Sequence, residues 1–199
     1  MNTGFASIPA ARLRASVVGI VDRERTARGR PEGVGGGAGV AWGSGDLLVT
    51  SAHVVTGIGV TVVLPDGRTL AGEVIRRDAE SDLAVVHAPG AGLPPAVAGD
   101  PYALRPGSLV FAVGHPFGVK DAVSLGVYQA TSPLPRGYGL NGRGSLPWVQ
   151  ADLHLAPGNS GGPLADAQAR VIGVAAMIVS GLALAVPVTA VQRLFTGLA

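Results

Sequence analysis

Short apolar runs rich in valine and isoleucine recur along the whole chain, and glycine or proline interrupts them at close intervals. Glycine occurs 31 times and proline 15 times, so few uninterrupted helices fit between them. Short runs of β-branched residues between such breakers are typical of β-strands. The pattern predicts strands at residues 15–21, 46–51, 58–64, 69–75, 82–86, 108–113, 123–130, 146–151, 170–179 and 182–186.

The last segment of the chain has a different period. After Pro187, apolar residues recur every three or four positions, at Val188, Val191, Leu194, Phe195 and Leu198. This spacing places them on one face of a helix. We therefore expect an amphipathic α-helix at the C-terminus, docked on the β-structure.

The stretch from Pro89 to Gly107 is rich in glycine and proline and separates two groups of predicted strands. Many short strands on each side favour an all-β chain folded as two small barrels. We expect a first barrel in residues 1–95, a linker in residues 96–107, and a second barrel with the C-terminal helix in residues 108–199. A ligand site would then lie in the cleft between the barrels.

Composition and charge exclude several function classes. Of the 199 residues, 47% are hydrophobic and 14% are charged, as in a core-rich globular protein. The net charge of +2 is too small to indicate a surface for nucleic acid. The arginines of the one basic cluster alternate with acidic residues, which indicates a solvated loop: Arg23, Arg25, Arg28 and Arg30 with Asp22, Glu24 and Glu32.

The sequence offers no motif for a metal or a cofactor. It contains no cysteine, and it has neither a His-Glu-x-x-His pair nor an acidic calcium loop. The glycine-rich segment 33–38 follows an arginine-rich loop instead of a strand, which argues against a dinucleotide site. We therefore expect no metal and no cofactor.

The nearly apolar segment from Val171 to Val188 approaches the length of a membrane span. Gly173, Ser180-Gly181 and Pro187 interrupt it, so two buried strands joined by a turn are favoured over a transmembrane helix. The N-terminal residues also lack the apolar stretch of a secretory signal peptide. The sequence thus predicts no membrane span and, by default, a cytoplasmic protein.

The most informative motif is the segment Gly158-Asn159-Ser160-Gly161-Gly162-Pro163-Leu164. It sets one serine among glycines, whose backbone can approach a substrate closely and can adopt dihedral angles closed to other residues. Backbone N–H groups that converge beside a serine hydroxyl can stabilise the oxyanion of an acyl transfer. The motif therefore predicts a nucleophile, Ser160, and an oxyanion site built from the same turn.

A serine nucleophile needs a base, and the base needs an orienting group. His53 lies at the end of an apolar strand and Asp82 opens another, whereas His87 and His115 fit structural roles. The order His53, Asp82, Ser160 excludes an α/β-hydrolase, in which the histidine follows the serine. A subtilisin-like enzyme is also not favoured, because its fold is built on an α/β sheet and this sequence predicts too few helices for one.

Five segments occur along the chain in the same order as in the trypsin-like serine proteases, and they resemble most closely the bacterial HtrA/Deg branch of that family. These segments are residues 50–55, 81–85, 114–118, 158–164 and 183–187. The resemblance implies two six-stranded antiparallel β-barrels with the catalytic residues between them, and hydrolysis of peptide bonds through an acyl-enzyme. His53 would act as general base and general acid, Asp82 would hold its ring, and Ser160 would attack. The oxyanion hole would lie at Gly158, Asn159 and Ser160, with the N–H groups of Gly158 and Ser160 facing the oxyanion.

The resemblance also implies a primary specificity pocket. His154, six residues before the nucleophile, would form its base, and its walls would come from Ala175, Ala176, Met177, Leu182 and Leu184. Since no aspartate lies at the base, cleavage after lysine or arginine is not expected. We expect cleavage after small or medium apolar residues, with His154 as a packed neutral ring. The alternative is that His154 recognises an acidic side chain.

The expected partners are protein or peptide substrates, unfolded proteins in particular, and no nucleic acid. No PDZ domain follows in this sequence, and a monomer or, by resemblance, a homotrimer is expected. Residues 23–39 and 132–146 are the loops expected to control how the oxyanion turn forms. Two alternatives to a protease stay open: a catalytically silent scaffold with a trypsin-like fold, and an esterase.

Overall fold

The computed structural model describes residues 7–23, 36–115, 122–134 and 147–197. Residues 24–35 and 135–146 of the two predicted control loops therefore lie outside the described residues, as do residues 116–118 of the segment 114–118. The helices and strands are, in chain order, α1 (Ser7–Arg14), β1 (Val17–Asp22), β2 (Gly37–Trp42), β3 (Leu47–Ser51), β4 (Gly59–Val63), β5 (Thr69–Asp78), β6 (Leu83–His87), β7 (Leu109–Gly114), β8 (Ala122–Pro133), β9 (Pro147–Asp152), β10 (Pro163–Asp166), β11 (Val171–Val179), β12 (Leu182–Pro187) and α2 (Val188–Phe195).

The strands form two closed antiparallel barrels. The first has the order β1-β2-β3-β6-β5-β4, and the second has the order β10-β11-β12-β9-β8-β7. The expected fold, all-β with two six-stranded barrels and a C-terminal helix, is confirmed. The chain between β6 and β7 contacts both barrels, since the N–H of Ala96 donates to Ala41 at 2.9 Å and that of Gly99 to Val171 at 2.8 Å.

Strands that lie between the barrels are buried on both faces, which explains why their apolar residues are consecutive in sequence. In β6, Ala84 and Val86 belong to the interior of the first barrel, whereas Leu83 and Val85 belong to a second cluster between the barrels. Trp148 and the apolar face of α2 pack in the same inter-barrel cluster. The cleft side of each barrel is therefore part of one continuous apolar core.

The sequence pattern does not predict β2, because its glycines indicate a turn. All six of its residues are nevertheless buried. A Cβ at Gly39 would lie 2.7 Å from the Ile20 side chain, and one at Gly37 would lie 2.6 Å from the carbonyl oxygen of Ser160. These glycines are thus required by close packing inside a strand, a role that composition alone does not distinguish from a turn.

The pattern also does not predict β10 and α1. Strand β10 has only four residues and begins with a proline, so it carries a weak strand signal. Helix α1 has an apolar face of two residues within the described side chains, Ala10 and Leu13, which pack in the inter-barrel cluster. Both elements depend on tertiary contacts instead of local periodicity.

The apolar segment at residues 171–188 forms β11, β12 and the start of α2, as the sequence predicts. Ser180 and Gly181 join the two strands with φ angles of 49° and 84°. Two consecutive positive φ angles suit a tight hairpin, because the turn then follows the twist of its strands. Among the described residues, no helix is long and apolar enough to cross a membrane.

The placement of Asp22 in a solvated loop is wrong. Asp22 is the last residue of β1 and is 1% exposed. Alternation along a strand puts it on the same face as Val18 and Ile20, which line the interior of the first barrel. Arg23 is exposed and donates to the Thr61 hydroxyl at 3.2 Å, and residues 24–35 lie outside the described residues.

Candidate active site

A turn between β5 and β6 positions Asp82. The Asp78 carboxylate accepts hydrogen bonds from the backbone N–H groups of Glu80 at 3.0 Å and Ser81 at 3.1 Å. Burial acts to raise the pKa of Asp78, but the hydrogen bonds from Ser81 and Glu80 outweigh it, so the pKa lies below its ordinary value of 3.8. Asp82 follows with a φ of 57°, which few residues other than glycine adopt, although aspartate is among those that do.

The carboxylate of Asp82 contacts His53 through both oxygens. His53 Nδ1 lies 2.7 Å from Oδ2, and the backbone N–H of His53 donates to Oδ1 at 3.1 Å. The side chain of Asp82 is fully buried, whereas that of His53 is 44% exposed. Because an ionised carboxylate only accepts hydrogen bonds, Nδ1 carries a proton in this pair. In a neutral ring, Nε2 is then the nitrogen that can accept a proton.

The turn that carries Ser160 contacts the first barrel. The carbonyl oxygen of Ser160 accepts a hydrogen bond from the N–H of Ala38 at 2.8 Å. The N–H of Gly161 donates to the carbonyl of Ala175 at 2.7 Å, and the Ser51 hydroxyl donates to the same carbonyl at 3.1 Å. One carbonyl oxygen therefore ties the serine turn to the end of β3, just before the candidate base.

Ser160 is half-buried, and its hydroxyl donates to the carbonyl of Ala176 at 3.3 Å. Ala176 lies at an irregularity between β11 and β12, where the pairing shifts between Ala175 and Met177. Such a bulge re-aims the backbone locally. Proton transfer from the hydroxyl to an imidazole would require this hydrogen bond to be exchanged for one to the base.

No side chain fits at Gly161. Its φ is 85°, and a Cβ there would lie 2.2 Å from both the carbonyl oxygen of Ala38 and Oγ1 of Thr50. The Thr50 hydroxyl also donates to that carbonyl, at 2.7 Å. Glycine is therefore needed both for the backbone angle and for the close approach of the serine turn to β2 and β3.

Replacing Gly161 with alanine should destabilise the fold by about 2 to 6 kcal/mol, the sum of backbone strain and overpacking. Gly181→Ala is the matched control, because Gly181 has a φ of 84° and nothing lies within 4 Å of its Cβ position. The control should lose about 1 to 2 kcal/mol, from strain alone. Denaturant unfolding measures both variants, and equal losses would contradict the steric argument.

The N–H groups of the predicted oxyanion hole differ in their partners. The N–H of Asn159 donates to the carbonyl of Ala156 at 3.0 Å, so the turn itself uses it. Between described residues, Gly158 and Ser160 donate no backbone-to-backbone hydrogen bond. Gly158 has a φ of 106°, and its carbonyl accepts from the N–H of His115 at 3.1 Å. The two N–H groups at 158 and 160 are thus the ones available to an oxyanion.

The residues of the predicted specificity pocket do not share one environment. Ala176 and Leu184 are buried in the inter-barrel cluster, whereas Ala175 is buried inside the second barrel. Met177 and Leu182 are half-buried. Only some of these side chains can therefore contact a substrate without a rearrangement of the second barrel.

The expectation of a packed His154 ring is wrong, because this side chain is exposed. The residues after β9 keep the alternation of a strand, with Leu153 and Leu155 buried on one side. His154 consequently points to the other side, towards solvent. An exposed imidazole is compatible with contact to a polar or acidic group.

His87 is the last residue of β6 and its side chain is exposed. Within the described ranges, no group of three or more histidine, aspartate or glutamate side chains could hold a metal ion.

Sequence reasoning missed the buried carboxylate of Asp22 and its contacts with the backbone after His53. Asp22 accepts hydrogen bonds from Thr56, and Arg77 donates to carbonyl groups of the same segment. The available signal was the register of Asp22 with Val18 and Ile20, since a polar residue in an apolar strand register is typically hydrogen-bonded.

A sequence model of the family described as "Trypsin-like peptidase domain" matches residues 37–174. This range includes the candidate base, the orienting carboxylate and the serine turn. It covers more than half of the chain.

Several curated proteins are similar to the chain. HhoB of Synechocystis sp., whose name describes a serine protease, is 35% identical over 82% of this chain and 40% of its own length. A DegP-like periplasmic serine endoprotease of Halomonas elongata is 35% identical over 76% of this chain and 32% of its own length. The mitochondrial serine protease HTRA2 of Drosophila pseudoobscura is 34% identical over 82% of this chain and 39% of its own length. The chain thus spans less than half the length of these relatives.

Proposed function

The chain belongs to the family of trypsin-like peptidases, and from this membership we propose that it is a serine endopeptidase that hydrolyses peptide bonds through an acyl-enzyme. The observation that supports the proposal most strongly is the contact of the buried Asp82 carboxylate with His53. The tie between the serine turn and β3 adds to it. Similarity to proteins named serine proteases agrees with the same chemistry.

In the proposed reaction, Oγ of Ser160 bonds to the substrate carbonyl carbon while Nε2 of His53 takes the hydroxyl proton. The carbonyl electron pair moves to oxygen, and the N–H groups of Gly158 and Ser160 stabilise the resulting oxyanion. Collapse breaks the C–N bond, and Nε2 returns the proton to the leaving amine. Water then repeats the sequence on the ester, which releases the acid and restores the hydroxyl. Asp82 stays ionised and stabilises the imidazolium.

Each group in this proposed mechanism has a typical contribution to the reaction rate. General base catalysis by a positioned histidine contributes roughly 10²- to 10⁴-fold. One oxyanion donor contributes roughly 10²- to 10³-fold in kcat. Because Asp82 is fully buried, its charge acts in a low-dielectric environment, where it stabilises the imidazolium more than it would in water.

We propose unfolded proteins and peptides as substrates, with cleavage after small or medium apolar residues. The half-buried Met177 and Leu182 support an apolar pocket wall. The exposed His154 supports the alternative, recognition of an acidic side chain. Cytoplasmic location and a monomeric or trimeric state stay predictions, and the names of two relatives place those proteins in the periplasm and the mitochondrion.

A fluorophosphonate probe tests the proposed function on the unmodified chain. The probe should form a covalent adduct, and mass spectrometry of the digest should locate it on Ser160. The labelled chain should lose its ability to cleave casein. An unlabelled chain would favour the silent scaffold, and a labelled chain that cleaves small esters but not casein would favour the esterase.

A further inference from the structure

The backbone just after His53 is held from two sides. Between the end of β3 and the start of β4 the chain forms no strand pairing, so its N–H and C=O groups need other partners. The N–H of Thr56 donates to Oδ2 of Asp22 at 2.6 Å, and the Thr56 hydroxyl donates to the same oxygen. This segment is thus anchored to the last residue of β1.

The anchor is a buried carboxylate. Asp22 is 1% exposed and lies where β1 pairs with β4, opposite Val60. A buried carboxylate requires hydrogen-bond donors, and bonds to an ionised acceptor are shorter and stronger than neutral ones. The contact with Thr56 therefore ties this segment to the end of β1 through charge-assisted hydrogen bonds.

Arg77 holds the same segment from the opposite side. Its guanidinium donates to the carbonyl of Thr56 at 3.2 Å and to that of Gly57 at 2.9 Å. Arg77 belongs to β5, where it pairs with Ala84 of β6. Strand β5 leads directly into the turn that carries Asp82, so adjacent parts of the chain hold both the orienting carboxylate and the backbone after the base.

The side chain of His53 is 44% exposed, so packing covers only part of it and hydrogen bonds contribute to its orientation. The bonds to Asp82 fix the ring and the N–H of His53 itself. The contacts of Asp22 and Arg77 fix the chain three residues further on. A displacement of about 1 Å at a reacting group can cost about 10²-fold in rate.

We infer that Asp22, Thr56 and Arg77 are positioning residues, which hold the backbone after His53 so that Nε2 stays in place for proton transfer with Ser160. The inference rests on the proposed function. It assigns a role to residues outside the three that would carry the chemistry. The carboxylate and the guanidinium act through His53 and contact no substrate.

Asp22→Ala and Thr56→Val test the inference, with Thr56→Ser as the conservative variant. Asp22→Ala should lower kcat for a peptide substrate by about 10- to 10²-fold with KM changed less than about twofold, since only the base is displaced. Thr56→Val should lower kcat by a smaller factor, and Thr56→Ser should retain the wild-type value. Arg77→Met should lower kcat, whereas Arg68→Met, at an exposed ion pair with Asp66 in the same barrel, should not.

A double-mutant cycle separates positioning from simple loss of structure. In a His53→Ala background, measured with an activated ester, Asp22→Ala and Thr56→Val should cause no further loss, because the group they position is gone. An equal loss of kcat with and without the His53→Ala substitution would overturn the inference. So would an unchanged kcat when Asp22→Ala or Thr56→Val is made in the chain that retains His53. Should Asp22→Ala not fold, Thr56→Val and Arg77→Met carry the same cycle.

A proton NMR measurement keeps this inference distinguishable from the proposed function. The Nδ1–H signal of His53, protected by its hydrogen bond to Asp82, should exchange faster with water in Asp22→Ala and Thr56→Val than in the wild type or Thr56→Ser. Equal exchange in all four proteins would refute the positioning role even if the wild type reacts with fluorophosphonate. Faster exchange in a chain that fluorophosphonate does not label would support positioning and refute only the protease.

Discussion

Ser160→Ala should abolish fluorophosphonate labelling and lower kcat for casein by about 10⁶-fold, because the only hydroxyl of the turn at residues 158–164 is then gone. The fold should persist. The variant loses one hydrogen bond to Ala176, typically about 1 kcal/mol, while the contacts of the Ser160 carbonyl and the Gly161 N–H remain. Kinetics with casein and a thermal unfolding curve measure both effects.

Ser108→Ala is the control for this substitution. Its hydroxyl accepts a hydrogen bond from the N–H of Arg105 at 3.3 Å, in the turn just before β7. Labelling and turnover should equal those of the wild type. Casein cleavage that survives Ser160→Ala at more than a trace, in a preparation free of other proteases, would contradict the assignment of the nucleophile.

Asp82→Asn should lower kcat by about 10⁴-fold without loss of the fold. The backbone N–H of His53 donates to Oδ1, so an asparagine would place its carbonyl oxygen there and its NH₂ group next to Nδ1. Nδ1 would then have to accept a hydrogen bond, and the ring proton would move to Nε2. A protonated Nε2 cannot take the proton of Ser160, which accounts for the expected loss.

Two measurements check the tautomer argument. Nitrogen-15 NMR of the histidine ring should report protonated Nε2 in Asp82→Asn and protonated Nδ1 in the wild type at neutral ring charge. Asp66→Asn, in an exposed hairpin turn, should change neither the tautomer nor kcat. A wild-type tautomer combined with the large loss of kcat would show that Asp82 acts by charge alone.

Much of the fold could be predicted from apolar runs, and the exceptions have a common physical cause. The hairpin at Ser180 and Gly181 follows from local sequence, because turn residues interrupt an apolar run. Strand β2 does not, since Gly37 and Gly39 serve close packing that depends on distant residues. The end of the first barrel at residue 95 and the end of the linker at residue 107 stay predictions.

Some features of the candidate site could likewise be predicted from the sequence, and others could not. The pairing of His53 with Asp82 could be predicted because each residue borders an apolar strand, and their contact is present. The environments of His154 and Leu184 could not, since they depend on which side of a strand faces the groove. The arginines next to Asp22 indicate a loop, and they hide the strand register that Asp22 shares with Ile20.

The carbonyl of Ala175 accepts hydrogen bonds from Ser51 of one barrel and from Gly161 of the serine turn. A small shear between the two barrels would break one of these bonds before it disturbed the sheet hydrogen bonds within either barrel. Loosening at this contact should therefore lower turnover before the strand pairing of either barrel is lost.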